Sequence, residues 1–170
     1  MKKFLAVMGS AVMGTMFTTV ADATVEPVTA EVTFAGAIGI TEVNALQFGV
    51  LDVGMANLDT LIINTDDTFV DSASNIIGGT QAAAELTITA TALVTLSILV
   101  DTIVSGSGYT LDTFVCNYEG GGDADCDGPG TYQPTSVASG TLEIGAKITG
   151  DGSASAGAAN GSFNVTVIYQ

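Results

Sequence analysis

A period of two constrains this chain more than any other feature. In Gly161 to Gln170, Phe163, Val165, Val167 and Tyr169 share one parity; Ser162, Asn164, Thr166 and Gln170 take the other, with Ile168 the single exception. Alternation of β-branched and aromatic residues with polar ones marks a strand that buries one face. A closing strand of this kind needs a neighbour on each side, because an exposed edge invites pairing with another chain.

The same period recurs upstream. From Val28 to Ile40, the apolar residues Val28, Ala30, Val32, Phe34, Ile38 and Ile40 are all even, and Thr29, Glu31, Thr33 and Thr41 are odd. The run is long for one strand, where about five or six residues is usual. Gly36 and Gly39 predict a break. The expected division is a first strand near Val28–Phe34 and a second near Ile38–Val43. Leu46 and Phe48 share a face, and Gly49 permits a tight bend. Leu58 to Asn64 reads as a strand, Thr65-Asp66-Asp67 as a turn, and Gly78-Gly79 as a loop. The apolar run Glu85 to Val104 has the length of a membrane span, but its even-numbered Leu86, Ile88, Val94, Leu96, Ile98 and Val100, its threonines and Asp101 argue for two strands joined at Ala92-Leu93. Tyr109–Tyr118 and Thr141–Thr149 read as further strands, and Asp151–Asn160 as a Gly/Ala/Ser loop. The expectation is an all-β antiparallel sandwich of about seven to nine strands.

The N-terminus has a different character. Lys2 and Lys3 precede an apolar stretch, Phe4 to Val20, broken by Gly9, Gly14 and threonines; Ala21-Asp22-Ala23 fits a small-x-small cleavage pattern. The expected organisation is a signal peptide over 1–23, an N-terminal extension over 24–36, and a sandwich domain over 37–170. The mature chain would then carry no membrane span and would be exported.

Charge narrows the function classes. The full chain carries a formal −15. Removing Lys2, Lys3 and Asp22 with the leader makes the remainder one unit more negative, with Lys147 as its only basic residue. Such a chain repels nucleic acid and anionic membranes. It has no His, Arg or Trp, so it lacks an imidazole base and a guanidinium clamp. No motif sets two carboxylates in an apolar pocket. The reading is that the chain is not an enzyme, and no cofactor is implied beyond the calcium ion considered next.

Cys116 and Cys126 are the only cysteines; an even pair in an exported chain reads as a disulfide. Asp123, Asp125 and Asp127 have the D-x-D-x-D-G opening of a calcium loop, and Glu119 is placed to add a ligand across the disulfide. The twelfth position, where a Glu belongs, is Pro134. The alternative is a solvated acidic turn. The sequons at Asn160 and Asn164 read as accidental.

Several segments resemble a known family. Asn44-Ala-Leu-Gln-Phe-Gly49, Glu85-Leu-Thr-Ile-Thr-Ala90, Ser139-Gly-Thr-Leu-Glu-Ile-Gly145 and Gly161-Ser-Phe-Asn-Val-Thr-Val-Ile-Tyr169 are similar, in that order, to a bacterial secreted domain-of-unknown-function family, number forty-four-oh-two. The closing strand with its late Tyr also resembles chaperone–usher and spore-coat-U-like pilins. That resemblance implies an immunoglobulin-like fold and polymerisation by donation of an N-terminal strand. Partners would be copies of the chain itself, with a periplasmic chaperone and an outer-membrane usher. It differs from those pilins in having Asn160-Gly161-Ser162 before the last strand and a late cysteine pair.

The leading expectation is therefore a subunit of an extracellular fibre. The donor strand presents Val28, Ala30, Val32 and Phe34, and the acceptor groove lies along Phe163, Val165, Val167 and Tyr169. The alternative is a monomeric surface module that binds carbohydrate or calcium. Against the sugar reading, Trp is absent and Tyr numbers 4.

Overall fold

The computed structural model describes residues 34–170. The expected signal peptide and the donor positions Val28, Ala30 and Val32 lie outside the described residues. Within them every regular element is a strand, and all pairings are antiparallel. The eleven strands are β1 (Gly39–Asn44), β2 (Gln47–Leu51), β3 (Thr60–Ile63), β4 (Phe69–Asp71), β5 (Ile76–Ala82), β6 (Ala84–Thr89), β7 (Leu96–Val104), β8 (Tyr109–Tyr118), β9 (Ala124–Asp125), β10 (Ser139–Gly150) and β11 (Ser162–Tyr169). The count exceeds expectation because β4 and β9 are too short to show a period, and because Gly78-Gly79 is strand rather than loop. Gly79, at φ +81°, takes up an irregularity in the β2–β5 ladder there, and added bulk would meet the backbone of Gly49 and Val50.

The long strand β10 organises a seven-stranded sheet. One edge of β10 carries β6 along Ser139–Ile144 and β3 along Ala146–Thr149; the other carries β8. β1 extends the sheet beyond β6, and β4 beyond β3. Leu142, Ile144, Ala146 and Ile148 of β10 are buried, as their parity predicts. Against this face lies the ladder of β7 and β11, which buries Leu96, Ile98, Val100 and Val167. The Phe114 and Phe163 rings, from β8 and β11, sit 4.8 Å apart in a tilted arrangement between the two. The arrangement is sandwich-like.

Along the other side of β7 runs the segment 126–136. Val100, Ile98 and Leu96 amides donate to the carbonyls of Cys126, Tyr132 and Pro134. The turn expected at Ala92-Leu93 is present, with Leu93 at φ +64° and 87% exposed. That explains why Leu93 breaks the alternation: it is a turn tip, not a strand position.

Candidate functional site

The closing strand has one partner. β11 pairs with β7, and among the described residues no strand lies along its other edge. Among the described residues β2 likewise pairs only with β5. A groove of about 940 Å³ is lined by residues of β2 and β5, by the 154–161 loop and, of β11, by Phe163. Phe48 and Val50 of β2 form one wall, and Gly161 and Phe163 the other. Tyr109 and Leu111 of β8 and Ile148 of β10 are the floor, and the 154–160 loop lines one end. An open edge offers unpaired backbone donors and acceptors, and an apolar floor offers somewhere for alternate side chains to go.

Of the four expected acceptor residues, Phe163 lines this groove. Val165, Val167 and Tyr169 continue along the same inward face of β11, packed against the core. The groove's other residues, from β2, β5, β8, β10 and the 154–161 loop, were not expected, because which elements meet there depends on non-local pairing. Tyr169 has a further role. Its hydroxyl accepts a hydrogen bond from the Thr91 amide at 2.7 Å. Thr91 in turn accepts through Oγ1 from the Gly36 amide, also at 2.7 Å. The chain therefore enters the described domain beside the C-terminal end of β11. Phe34, two residues before this tether, is outside any strand and 89% exposed. Gly39 is the first residue of β1, paired with Thr89, within the second strand expected near Ile38–Val43.

Cys116 and Cys126 form a disulfide with Cα atoms 5.8 Å apart. Both residues are fully buried. The Cys126 amide donates to Phe114 in β8, and its carbonyl accepts from Val100 in β7, so the bridge sits where the chain passes from one layer to the other.

The acidic loop does not assemble a cation site. Glu119 accepts from the Thr141 amide at 2.5 Å. Asp123 accepts from Thr65 Oγ1 at 2.6 Å and Asn117 Nδ2 at 3.1 Å. Asp125 caps the Asp127 amide at 3.0 Å, and Asp127 faces the Phe114 amide at 3.4 Å. The carboxylates serve separate local donors, and among the described residues no three acidic side chains are grouped to hold a metal ion. The solvated acidic turn is thus the better description of Glu119, Asp123, Asp125 and Asp127. Burial, followed by the hydrogen-bonded neighbour Asp125, pushes the Asp127 carboxyl above its usual range.

A second acidic row crosses the outer face of the large sheet. Glu143 lies opposite Glu85 on β6 and Asn117 on β8. Burial, then the charges of Asp67, Glu85, Asp123 and Asp66, raise its carboxyl above the ordinary value. Lys147 is occupied elsewhere, 3.0 Å from Asp112.

The model of a domain of unknown function (DUF4402) matches residues 38–169. No curated protein and no solved structure matches the chain.

Proposed function

The chain belongs to the DUF4402 family, and on that premise we propose that it is the structural subunit of a secreted, pilus-like fibre, assembled when the N-terminal extension of one copy adds as a strand to the next. The observation that carries this reading is the edge of β11 along which no strand lies among the described residues, with an apolar groove at its Phe163 end. The same chain carries a segment suited to that edge. Val28, Ala30, Val32 and Phe34 share one parity, and the seven residues they span extend about 23 Å, against about 26 Å for the length of β11.

Strand addition forms main-chain hydrogen bonds along an open edge and lays alternate side chains onto the core. Donation from copy to copy is heterologous, so it propagates instead of closing as a dimer. The acidic, His-free and Arg-free composition suits a chain whose partners are copies of itself, not nucleic acid or anionic lipid.

The test is deletion of residues 24–35 from the exported protein. The expected result is a folded subunit that forms no filaments in negative stain and binds a synthetic peptide of the deleted sequence. A full-length protein that stays monomeric at high concentration, with Val28–Phe34 protected from hydrogen exchange, would overturn the proposal and favour a self-contained surface module.

A further inference from the structure

Among the described residues, the outer face of the large sheet holds two hydrogen-bond acceptors without a donor, and they stand opposite each other. Asn117 of β8 and Glu143 of β10 are paired in the ladder, so their side chains leave the same face with Cβ atoms about 5 Å apart. Asn117 Nδ2 donates to Asp123 at 3.1 Å. A carboxylate only accepts, which fixes the orientation of the amide and directs Oδ1 away from Asp123. That Oδ1 is buried and has no partner among the described residues. A buried polar atom left unmet in this way calls for an explanation.

The charged groups around Glu143 are all engaged. Glu85, its partner on β6, accepts from Asn44 Nδ2 at 2.8 Å. In the turn between β3 and β4, Asp66 accepts from Thr68, and Asp67 from the Ala83 amide. Asp123 accepts from Thr65 Oγ1 as well as from Asn117. Glu119 accepts from the Thr141 amide, and Lys147 of β10 is held by Asp112 of β8. Glu143 has no such donor among the described residues. Burial acts on it first, then the charges of Asp67, Glu85, Asp123 and Asp66, and each of these favours a proton on its carboxyl.

We propose that Glu143 and Asn117 form a proton-operated clasp between β10 and β8, in which the Glu143 carboxylate takes a proton from solvent and the new O–H donates to Asn117 Oδ1. One proton then satisfies both unmet acceptors. It also completes a run of hydrogen bonds from β10 through Asn117 and Asp123 to Thr65 beyond β3, and linked bonds of this kind strengthen one another. Near neutral pH the carboxylate faces Asn117 acceptor to acceptor, and the clasp is open. The folded carboxyl binds its proton more readily than the unfolded one, which titrates near ~4.3. The contribution of the clasp is therefore full below the unfolded value and is lost as pH rises through the folded one. Mild acid thus tightens the seam that carries Cys116 and the loop leading to Cys126. None of this depends on strand donation.

The test must resolve single residues, because burial raises the Asp127 carboxyl as well. Nuclear magnetic resonance of the full chain with its disulfide intact follows the Glu143 side-chain carboxyl and the Asn117 side-chain amide from acid to neutral pH. Both are expected to move with one shared midpoint above the ordinary glutamate value. Asn117→Leu removes the acceptor and should lower the Glu143 midpoint; burial and charge alone, with a leucine in place of the amide, would leave it unmoved or raise it. Glu143→Gln carries a permanent N–H donor, so the Asn117 amide signals should keep their acid-form positions across the whole range. An Asn117 amide that ignores the titration of Glu143 would overturn the proposal, as would a Glu143 midpoint that N117L leaves in place or raises. If N117L does not fold, the unsubstituted chain and E143Q decide: Asn117 signals that still titrate in E143Q would also overturn it.

Discussion

Removing the disulfide gives the most quantitative test of how the two layers are joined. The bridge closes a loop of sequence separation 10, for which loop-closure entropy predicts about 2.7 kcal/mol of stabilisation. Replacing both cysteines with alanine also deletes two fully buried sulfurs. At about 0.8 kcal/mol for each methylene-sized group, the double variant should lose about 4 kcal/mol in total. The reduced wild type keeps both sulfurs and so isolates the cross-link: it should lose about 2.7 kcal/mol alone. For a domain of this size the reduced protein should melt roughly 10 °C lower. Urea unfolding followed by circular dichroism, with and without reductant, measures both quantities. Because the Cys126 carbonyl accepts from Val100 at 2.7 Å, the loss should be accompanied by faster hydrogen exchange at Val100, Ile98 and Leu96. Oxidised and reduced protein unfolding at the same urea concentration would refute the reasoning. It would mean that the pairing of 126–136 with β7 holds this crossing without the bridge.

Three further outcomes are expected. Glu143→Gln should stabilise the protein at pH 7 and have little effect at pH 4. The raised carboxyl favours the protonated form in the fold, so its contribution is full below the unfolded value and is lost as pH rises through the folded one; urea midpoints at the two pH values decide this. Tyr169→Phe leaves the part-buried Thr91 amide unpaired and should cost about 1–3 kcal/mol, with amide exchange quickening at Thr91 and Gly36; unchanged exchange there would dissolve the tether. Gly145→Ala drives a methyl into the Ile63 carbonyl and the Asn64 backbone, so it should destabilise by more than about 1 kcal/mol and loosen β3 from β10, whereas Gly78→Ala, with open space around it, should fold normally; a comparison of their melting temperatures is the check.

Much of the fold was legible in the residues because strand period is a local property. Successive side chains on an extended backbone point to opposite faces, so Leu142, Ile144, Ala146 and Ile148 could be assigned to the core from parity alone, and Thr and Asp at 65–67 could be read as a turn. The closing strand's inward face was legible for the same reason. Where the backbone interrupts the period, parity misleads. In β8, Leu111 is buried on an odd position, but Phe114, Cys116 and Tyr118 are buried on even ones, because a bulge with Thr113 at φ +53° shifts the face midway. The glycines at 78 and 79 carry no period and so read as loop, although the ladder with β2 runs through them.

Only the tertiary structure decided which strands are neighbours. Backbone hydrogen bonds are the same for every residue, so nothing in Phe163 or Phe48 says that, among the described residues, β11 pairs with β7 alone and β2 with β5 alone. The acidic loop shows the same limit from the other side. The spacing of Asp123, Asp125 and Asp127 suggested converging carboxylates, but convergence needs a particular loop path. Here the path ties each one to a different nearby donor: Thr65 and Asn117, the Asp127 amide, the Phe114 amide. Alternation along the chain sets which side chains face inward; the non-local closure of the sheets sets what they face.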